Sequence, residues 1–249
     1  MYAFDSCNLH RFNTGSQSFE VTIYRNGNVH WLSLPSKDVN GKPLDGNNRD
    51  VYRSLRTSFP DLNFTSAEQI HSNIVTYTNT PSEFDQEHKC DGLITSEVNK
   101  ALIIRTADCV PVFIFNHQFI SLLHAGHKGI QFNILEKWNE YCPDQPSYLI
   151  LGDHIKSCCF KVHEDIEKKF RALPYSDPYS ITKINKNQWS ISLARILYNQ
   201  WNRLEHSTEH FFDFSNCTCC NTNIHSYRRS GKALIERTGH VIFRTKANK

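Results

Sequence analysis

The chain lacks the marks of several whole classes of protein. It has no apolar run near the roughly 20 residues that a membrane-spanning helix needs; its longest runs, such as Val110–Phe115, are of strand length. Met1-Tyr2-Ala3-Phe4-Asp5-Ser6-Cys7 has no basic stretch leading into an apolar one. A secretory leader is therefore not expected, and a cytoplasmic location is. No block of five or more like charges occurs, and the net charge is only +3, so neither nucleic acid nor a membrane surface is an expected partner. Glycine is scarce, 10 of 249 residues, and there is no internal repeat, low-complexity segment or Pro/Gly/Ser-rich linker. One compact domain over residues 1–249 is the simplest organisation.

What is present is ordinary for a soluble globular chain: 39% hydrophobic and 21% charged residues. The nine cysteines are an odd count, and without a leader they read as reduced thiols. Cys158-Cys159 and Cys217-Thr218-Cys219-Cys220 have the look of a metal cluster. Adjacent cysteines chelate one ion poorly, however, so the expectation is small buried hydrophobes.

Periodicity gives an α/β chain. Residues 19–24 and 29–34 read as a hairpin around Asn26-Gly27. Residues 47–58 read as a helix with an Asn near its N-cap and ended by Pro60. Strands are expected at 73–78, 93–95, 101–106, 110–115, 119–124, 148–151 and 159–162. Helices are expected at 129–138, 163–170 and 190–204, the last opened by a serine cap. Regular βαβ alternation is missing. The expectation is mixed or mostly antiparallel strands, of the α+β type, rather than a doubly wound parallel sheet.

The densest chemistry lies in Arg105-Thr106-Ala107-Asp108-Cys109-Val110-Pro111 and, one strand later, in His124-Ala125-Gly126-His127-Lys128-Gly129. If Asn116-His117 is a two-residue loop, Phe115 pairs with Gln118 and Cys109 lies directly opposite His124. Their Cβ atoms would then be roughly 4.5–5.5 Å apart; a three-residue loop would shift the register by one. A thiol and an imidazole so placed can bind one ion. His71, beside Gln69 at the start of a strand, is the best-placed third ligand, with His127, His154 and His163 as substitutes. Two His and one Cys, with a fourth position left to water or substrate, suit catalytic zinc. Residues 124–129 leave a strand, pass two glycines and enter a helix, where backbone amides and Lys128 could hold an anion. Asp91 and Asp108 could donate or accept hydrogen bonds, move protons, or only support the ligands. The same Cys109–His124 pair also suits a nucleophile and its base.

The order Gln69-Ile70-His71, Cys90-Asp91-Gly92, Thr106-Ala107-Asp108-Cys109-Val110-Pro111, His124-Ala125-Gly126, Leu151-Gly152, Cys158-Cys159, Cys217-Thr218 and Ser226-Tyr227-Arg228-Arg229 resembles the laccase-domain proteins. These are also called multicopper polyphenol oxidoreductase or YfiH-like proteins. The resemblance implies a single-domain mixed-sheet sandwich like the catalytic domain of cytotoxic necrotizing factor toxins. It implies zinc, with copper as a competitor, on His71, Cys109 and His124, which would also be the catalytic residues. It implies phosphorolysis of purine nucleosides (adenosine, inosine, guanosine, methylthioadenosine) and deamination of adenosine. A purine nucleoside and phosphate are then the partners. Arg49, in an Asn-Arg helix start similar to the family's, would bind substrate with Lys128 and Arg228. Other branches of the family are assigned to peptidoglycan precursors or to copper oxidation of phenols. The chain departs from the family pattern at His127, where a Trp is usual, and at Pro35, Asp153 and the pair Ile224-His225. A four-copper oxidase fits poorly, because no H-x-H pair occurs and the only methionine is Met1. The zinc deaminase signature H-x-E…P-C-x-x-C is also absent, so deamination would need a different arrangement.

Overall fold

Apolar runs buried on both faces build the centre of the molecule. The computed structural model describes residues 5–79, 88–142, 147–231 and 236–246. Its larger sheet has seven strands, in the spatial order Ser6–Thr14, Gln17–Asn26, Val29–Ser33, Thr238–Arg244, Lys100–Thr106, Asn63–Glu68 and His88–Lys89. A second sheet of six runs Phe211–Asp213, Tyr148–Leu151, Val110–Phe115, Ile120–Ala125, Gly92–Thr95 and Val75–Tyr77. A small sheet joins Lys161–Val162, Gln188–Ile191 and Ile181–Asn185. Most pairs are antiparallel, and Asn63–Glu68 is among those that pair in parallel. This is the mixed α/β architecture expected.

Alternation along the strands shows how the sheets stack. In Val110–Phe115, Val112 and Ile114 pack with Ile130, Ile134, Trp138, Leu197 and Trp201 on the helical side. Phe113 and Phe115 point the other way, onto Leu102, Ile104 and Ile242 of the seven-stranded sheet. Ala101, Ile103 and Val241 then face outward onto Val51, Tyr52 and Leu55. Helices, two sheets and a further helical turn therefore form a layered sandwich. Strands buried on both faces read as continuous apolar runs, and each large side chain removed from water contributes about 1.5–3 kcal/mol.

The helix expected at 47–58 is present as Arg49–Arg53 continued by a 3-10 turn at Ser54–Thr57, with the Asn48 side chain capping Asp50 N–H. Three expectations are corrected. The hairpin after Val110–Phe115 has a four-residue loop, because Phe115 pairs with Ile120 rather than Gln118, and His124 lies opposite Pro111. Asn116 Oδ1 accepts from Gln118 and Phe119 N–H, and the Arg244 guanidinium donates to the carbonyls of residues 116–119. The helix expected at 129–138 is two helices, His127–Gln131 and Ile134–Asn139, broken where Asn133 adopts φ 60°. Asn133 Oδ1 is held there by the Tyr175 hydroxyl and by Gln200 Nε2. The last long helix is Leu193–Arg203, capped by Ser192; Ser190 belongs to a strand.

Candidate active site

Asp91 organises the site. It is fully buried, on the turn before Gly92–Thr95. Its Oδ1 accepts from His71 N–H at 3.0 Å and from His124 Nδ1 at 2.7 Å. Its Oδ2 accepts from Ser72 N–H at 2.6 Å and from the Ser72 hydroxyl at 2.7 Å. One carboxylate thus fixes the 71–72 turn, in which His71 takes φ 58°, and orients the buried His124 ring. With Nδ1 committed to Asp91, His124 is left with Nε2 to offer to Cys109 or an ion.

Cys109 reaches the same point from a second strained turn. Asp108 has φ 98°. Its carboxylate accepts from Thr218 Oγ1 and from Arg228 N–H, both at 2.6 Å, so Asp108 positions Cys109 and anchors the opposite wall. The true register is two residues from the expected one. A two-residue shift preserves the face on which side chains lie, so Cys109 and His124 still converge although they are diagonal neighbours. The residue facing Cys109 is Gly126, where a Cβ would lie 3.2 Å from Cys109 Sγ. At Gly129 a Cβ would lie 2.8 Å from the Ser72 carbonyl oxygen. These glycines let the protein close on its own cluster. The helix that follows, His127–Gln131, has only five residues and supplies no strong anion-binding terminus.

The donor atoms of His71, Cys109 and His124 lie within 4.8 Å of one another, and the two imidazoles meet edge to face with centroids 4.8 Å apart. Burial opposes charge on Cys109, but the His124 charge and hydrogen bonds from both imidazoles draw its thiol down to about 6. Burial also opposes charge on His124, yet the Cys109 thiolate and Asp91 hold it up to about 9. Asp91 is lowered because hydrogen bonds from His124 and Ser72 outweigh its burial. A ready thiolate, an oriented imidazole nitrogen and a third imidazole form a donor set that fits zinc, with a carboxylate behind one ligand.

These groups open into a cavity of about 690 Å³, at the ends of Asn63–Glu68, Lys100–Thr106 and Ile120–Ala125. Arg228 lines it, as do Arg105, Arg237, Phe160, Tyr227 and His127. Lys128 is exposed on the following helix and Arg49 opens Arg49–Arg53; neither lines this cavity. His154 is turned to the Gly152 carbonyl and the Ser215 hydroxyl, and His163 to the Asn187 carbonyl, so neither substitutes for His71. Sequence reasoning missed Arg105 and Arg237 as cavity residues. Arg105 stands directly before the Thr-Ala-Asp-Cys run, whereas Arg237 carries no local signal. It also missed the clamp in which the Gln69 side-chain amide exchanges two hydrogen bonds with the Arg105 backbone, at 2.7 and 2.8 Å.

Among known proteins, a purine nucleoside phosphorylase of Clostridium acetobutylicum is 26% identical over 203 residues, 78% of this chain and 82% of the relative. A purine nucleoside phosphorylase of Borreliella burgdorferi is 27% identical over 172 residues, 65% of this chain and 72% of the relative. The fold matches the hypothetical protein YfiH of Bacillus licheniformis with a TM-score of 0.78 at 21% identity, covering 94% of this chain and 99% of that one. It matches YlmD of Geobacillus stearothermophilus with a TM-score of 0.75 at 21% identity, covering 99% and 94%. The sequence profile of a single family covers residues 32–244. With its extent and its fold both accounted for, the chain belongs to the multi-copper polyphenol oxidoreductase laccase family.

Proposed function

We propose that the chain is a zinc-dependent purine nucleoside phosphorylase, with His71, Cys109 and His124 as metal ligands and catalytic centre, and with adenosine deamination as a second activity. The observation that carries the reading is one cavity lined both by three arginines, Arg105, Arg228 and Arg237, and by the His71–Cys109–His124 cluster. Relatives that bear the phosphorylase name support it. A zinc ion held by those three residues would supply Lewis acidity and an open coordination position.

The remaining groups have separate tasks. Guanidinium groups bind phosphate through charged, often bidentate hydrogen bonds, so the arginines would hold the attacking phosphate against the ribose. Tyr227 would offer an apolar face to the purine. His127 is kept toward neutral by burial, then by the charges of Lys128 and His71. A neutral imidazole can donate an N–H to the purine as the base leaves, a role open to this chain because His127 stands where a Trp is usual. In phosphorolysis the C1′–N9 bond breaks, a phosphate oxygen bonds to C1′, and free base and ribose 1-phosphate result. The test is a nucleoside panel with and without phosphate. Ribose 1-phosphate should form only with phosphate present, and equal base release without phosphate would sink the reading.

One observation favours a second reading. Cys109, His124 and Asp91 also form a thiolate, imidazole and carboxylate in series, which is the arrangement of a cysteine amide hydrolase. Such an enzyme could act on peptidoglycan precursors. Full activity in excess chelator, with no metal in the protein, would select it.

A further inference from the structure

We propose that Cys158, Cys159, Cys217 and Cys220 form a second metal site, an all-thiolate one for a soft divalent cation of the zinc class. Their sulfurs all lie within 4.8 Å of one another. Cys220 Sγ is 3.7 Å from Cys158 Sγ and 3.4 Å from Cys159 Sγ. A tetrahedral zinc with Zn–S of about 2.3 Å sets its sulfurs about 3.8 Å apart, whereas a disulfide needs about 2.05 Å. The two separations from Cys220 are near those of ligands around one ion and far from that of a disulfide.

Packing accounts for only part of the convergence: Cys159 packs against the core. Cys158 and Cys220 are exposed, and Cys159 and Cys217 are only partly buried. The expectation of small buried hydrophobes therefore fails for Cys158 and Cys220. Cys217 and Cys220 stand at C-x-x-C spacing, masked in the sequence by the Cys219 between them, on a turn closed by Asn221 N–H to the Cys217 carbonyl at 3.0 Å. Adjacent cysteines on a strand point to opposite faces. Cys158 and Cys159 sit instead on a turn closed by Cys159 N–H to the Lys156 carbonyl at 2.9 Å, and both sulfurs reach Cys220. Lys156 N–H donates to Cys217 Sγ at 3.5 Å. An amide donor of this kind supports negative charge on a ligand sulfur.

Four protein ligands and no open position make a structural site, and the turns it would join carry the cavity wall. The Arg228 guanidinium donates to the carbonyls of Cys159 and Lys161 at 2.8 and 3.1 Å. Arg229 donates to the carbonyls of Thr218 and Cys219 at 2.7 and 3.1 Å. Thr218 and Arg228 N–H both hold Asp108, the residue before Cys109. An ion here would lock that wall from behind without touching substrate.

The site can be tested apart from the His71–Cys109–His124 centre. Cys109→Ala disables that centre and leaves the four cysteines intact. Purified under reducing conditions, this variant should carry about one zinc per chain. After removal of the zinc it should take up one cobalt(II), with the sulfur-to-cobalt charge-transfer absorption of a tetrathiolate. Cys217→Ser/Cys220→Ser, in the same background, should lose both signals. A folded Cys109→Ala protein that binds neither zinc nor cobalt would overturn the proposal. So would peptide mapping that finds these cysteines in disulfides in the freshly reduced, purified protein.

Discussion

At the scale of single residues, Asp91 has the largest share of the work, because one buried carboxylate accepts four hydrogen bonds, three from the 71–72 turn and one from His124 on the strand Ile120–Ala125. Asp91→Asn replaces one acceptor oxygen with an NH₂ group. Either the Ser72 or the His71/His124 side must then lose its acceptor. An unsatisfied buried donor costs about 1–3 kcal/mol, and loss of a partner behind a ligand typically lowers metal affinity about 10- to 100-fold. A urea titration and a zinc-competition titration of Asp91→Asn should show both effects. Native zinc affinity in that variant would remove Asp91 from the site. The Cys109 thiol offers a second residue-scale test. With its thiol drawn down to about 6 by burial-opposed contacts with His124 and His71, metal-free protein should be alkylated at Cys109 at a rate that rises with pH through about 6. In His124→Gln the inflection should move up toward the ordinary thiol range near 8.5. An unmoved inflection would show that His124 does not set the thiolate.

At the scale of elements, local signals specified some of the strands, the apolar ones around the site above all, and long-range contacts specified how they end. Val110–Phe115 is legible to the residue, since β-branched and aromatic side chains run between turn formers. The loop after it is not, because the Arg244 guanidinium that binds its four carbonyls comes from the far end of the chain. The convergence of Cys109 and His124 survived the wrong loop length only because the error was an even number of residues. The C-terminal strand Thr238–Arg244, central in its sheet between Val29–Ser33 and Lys100–Thr106, went unread, as did Ser6–Thr14 and Asn63–Glu68. The helix break at Asn133 is the same kind of case as the loop after Val110–Phe115: the 3.6-residue periodicity runs on through it, but Tyr175 and Gln200 hold the left-handed turn. Asn133→Ala should therefore destabilise the protein by about 1–2 kcal/mol from the backbone conformation alone. Asn133→Gly should retain that part and lose only the side-chain bonds. A urea midpoint for Asn133→Ala equal to or above that of Asn133→Gly would contradict a left-handed break.

At the scale of the whole molecule, stability and the candidate site are linked through protons. His240, in the central strand Thr238–Arg244, is fully buried with Ser33 Oγ at Nδ1 and Thr106 Oγ1 at Nε2, 2.7 and 2.8 Å away. Burial first, and then the charge of His124, push it down to about 3. In the unfolded chain it regains an ordinary value near 6.5. Between those values the unfolded chain binds a proton that the folded chain does not. The stabilisation is therefore complete above about 6.5 and is lost as pH falls, by about 1.4 kcal/mol per pH unit. His30, lowered to about 4 by burial and then by Arg25 and His10, adds a smaller slope of the same sign because it is partly exposed. The Cys109–His124 pair behaves differently. Unfolded, the thiol holds one proton and the imidazole none between about 6.5 and 9. Folded and metal-free, the thiol at about 6 and the imidazole at about 9 again hold one between them. Their opposed slopes cancel across that window. Metal-free protein should thus show a urea midpoint nearly level from pH 7 to 8.5 as far as these groups are concerned, and falling below about 6.5. His240→Gln keeps a polar group between Ser33 and Thr106 but cannot titrate, so it should remove about 1.4 kcal/mol per pH unit from the acid limb while leaving the level region unchanged in slope. Identical acid limbs in the two proteins would show that His240 is not held neutral in the fold.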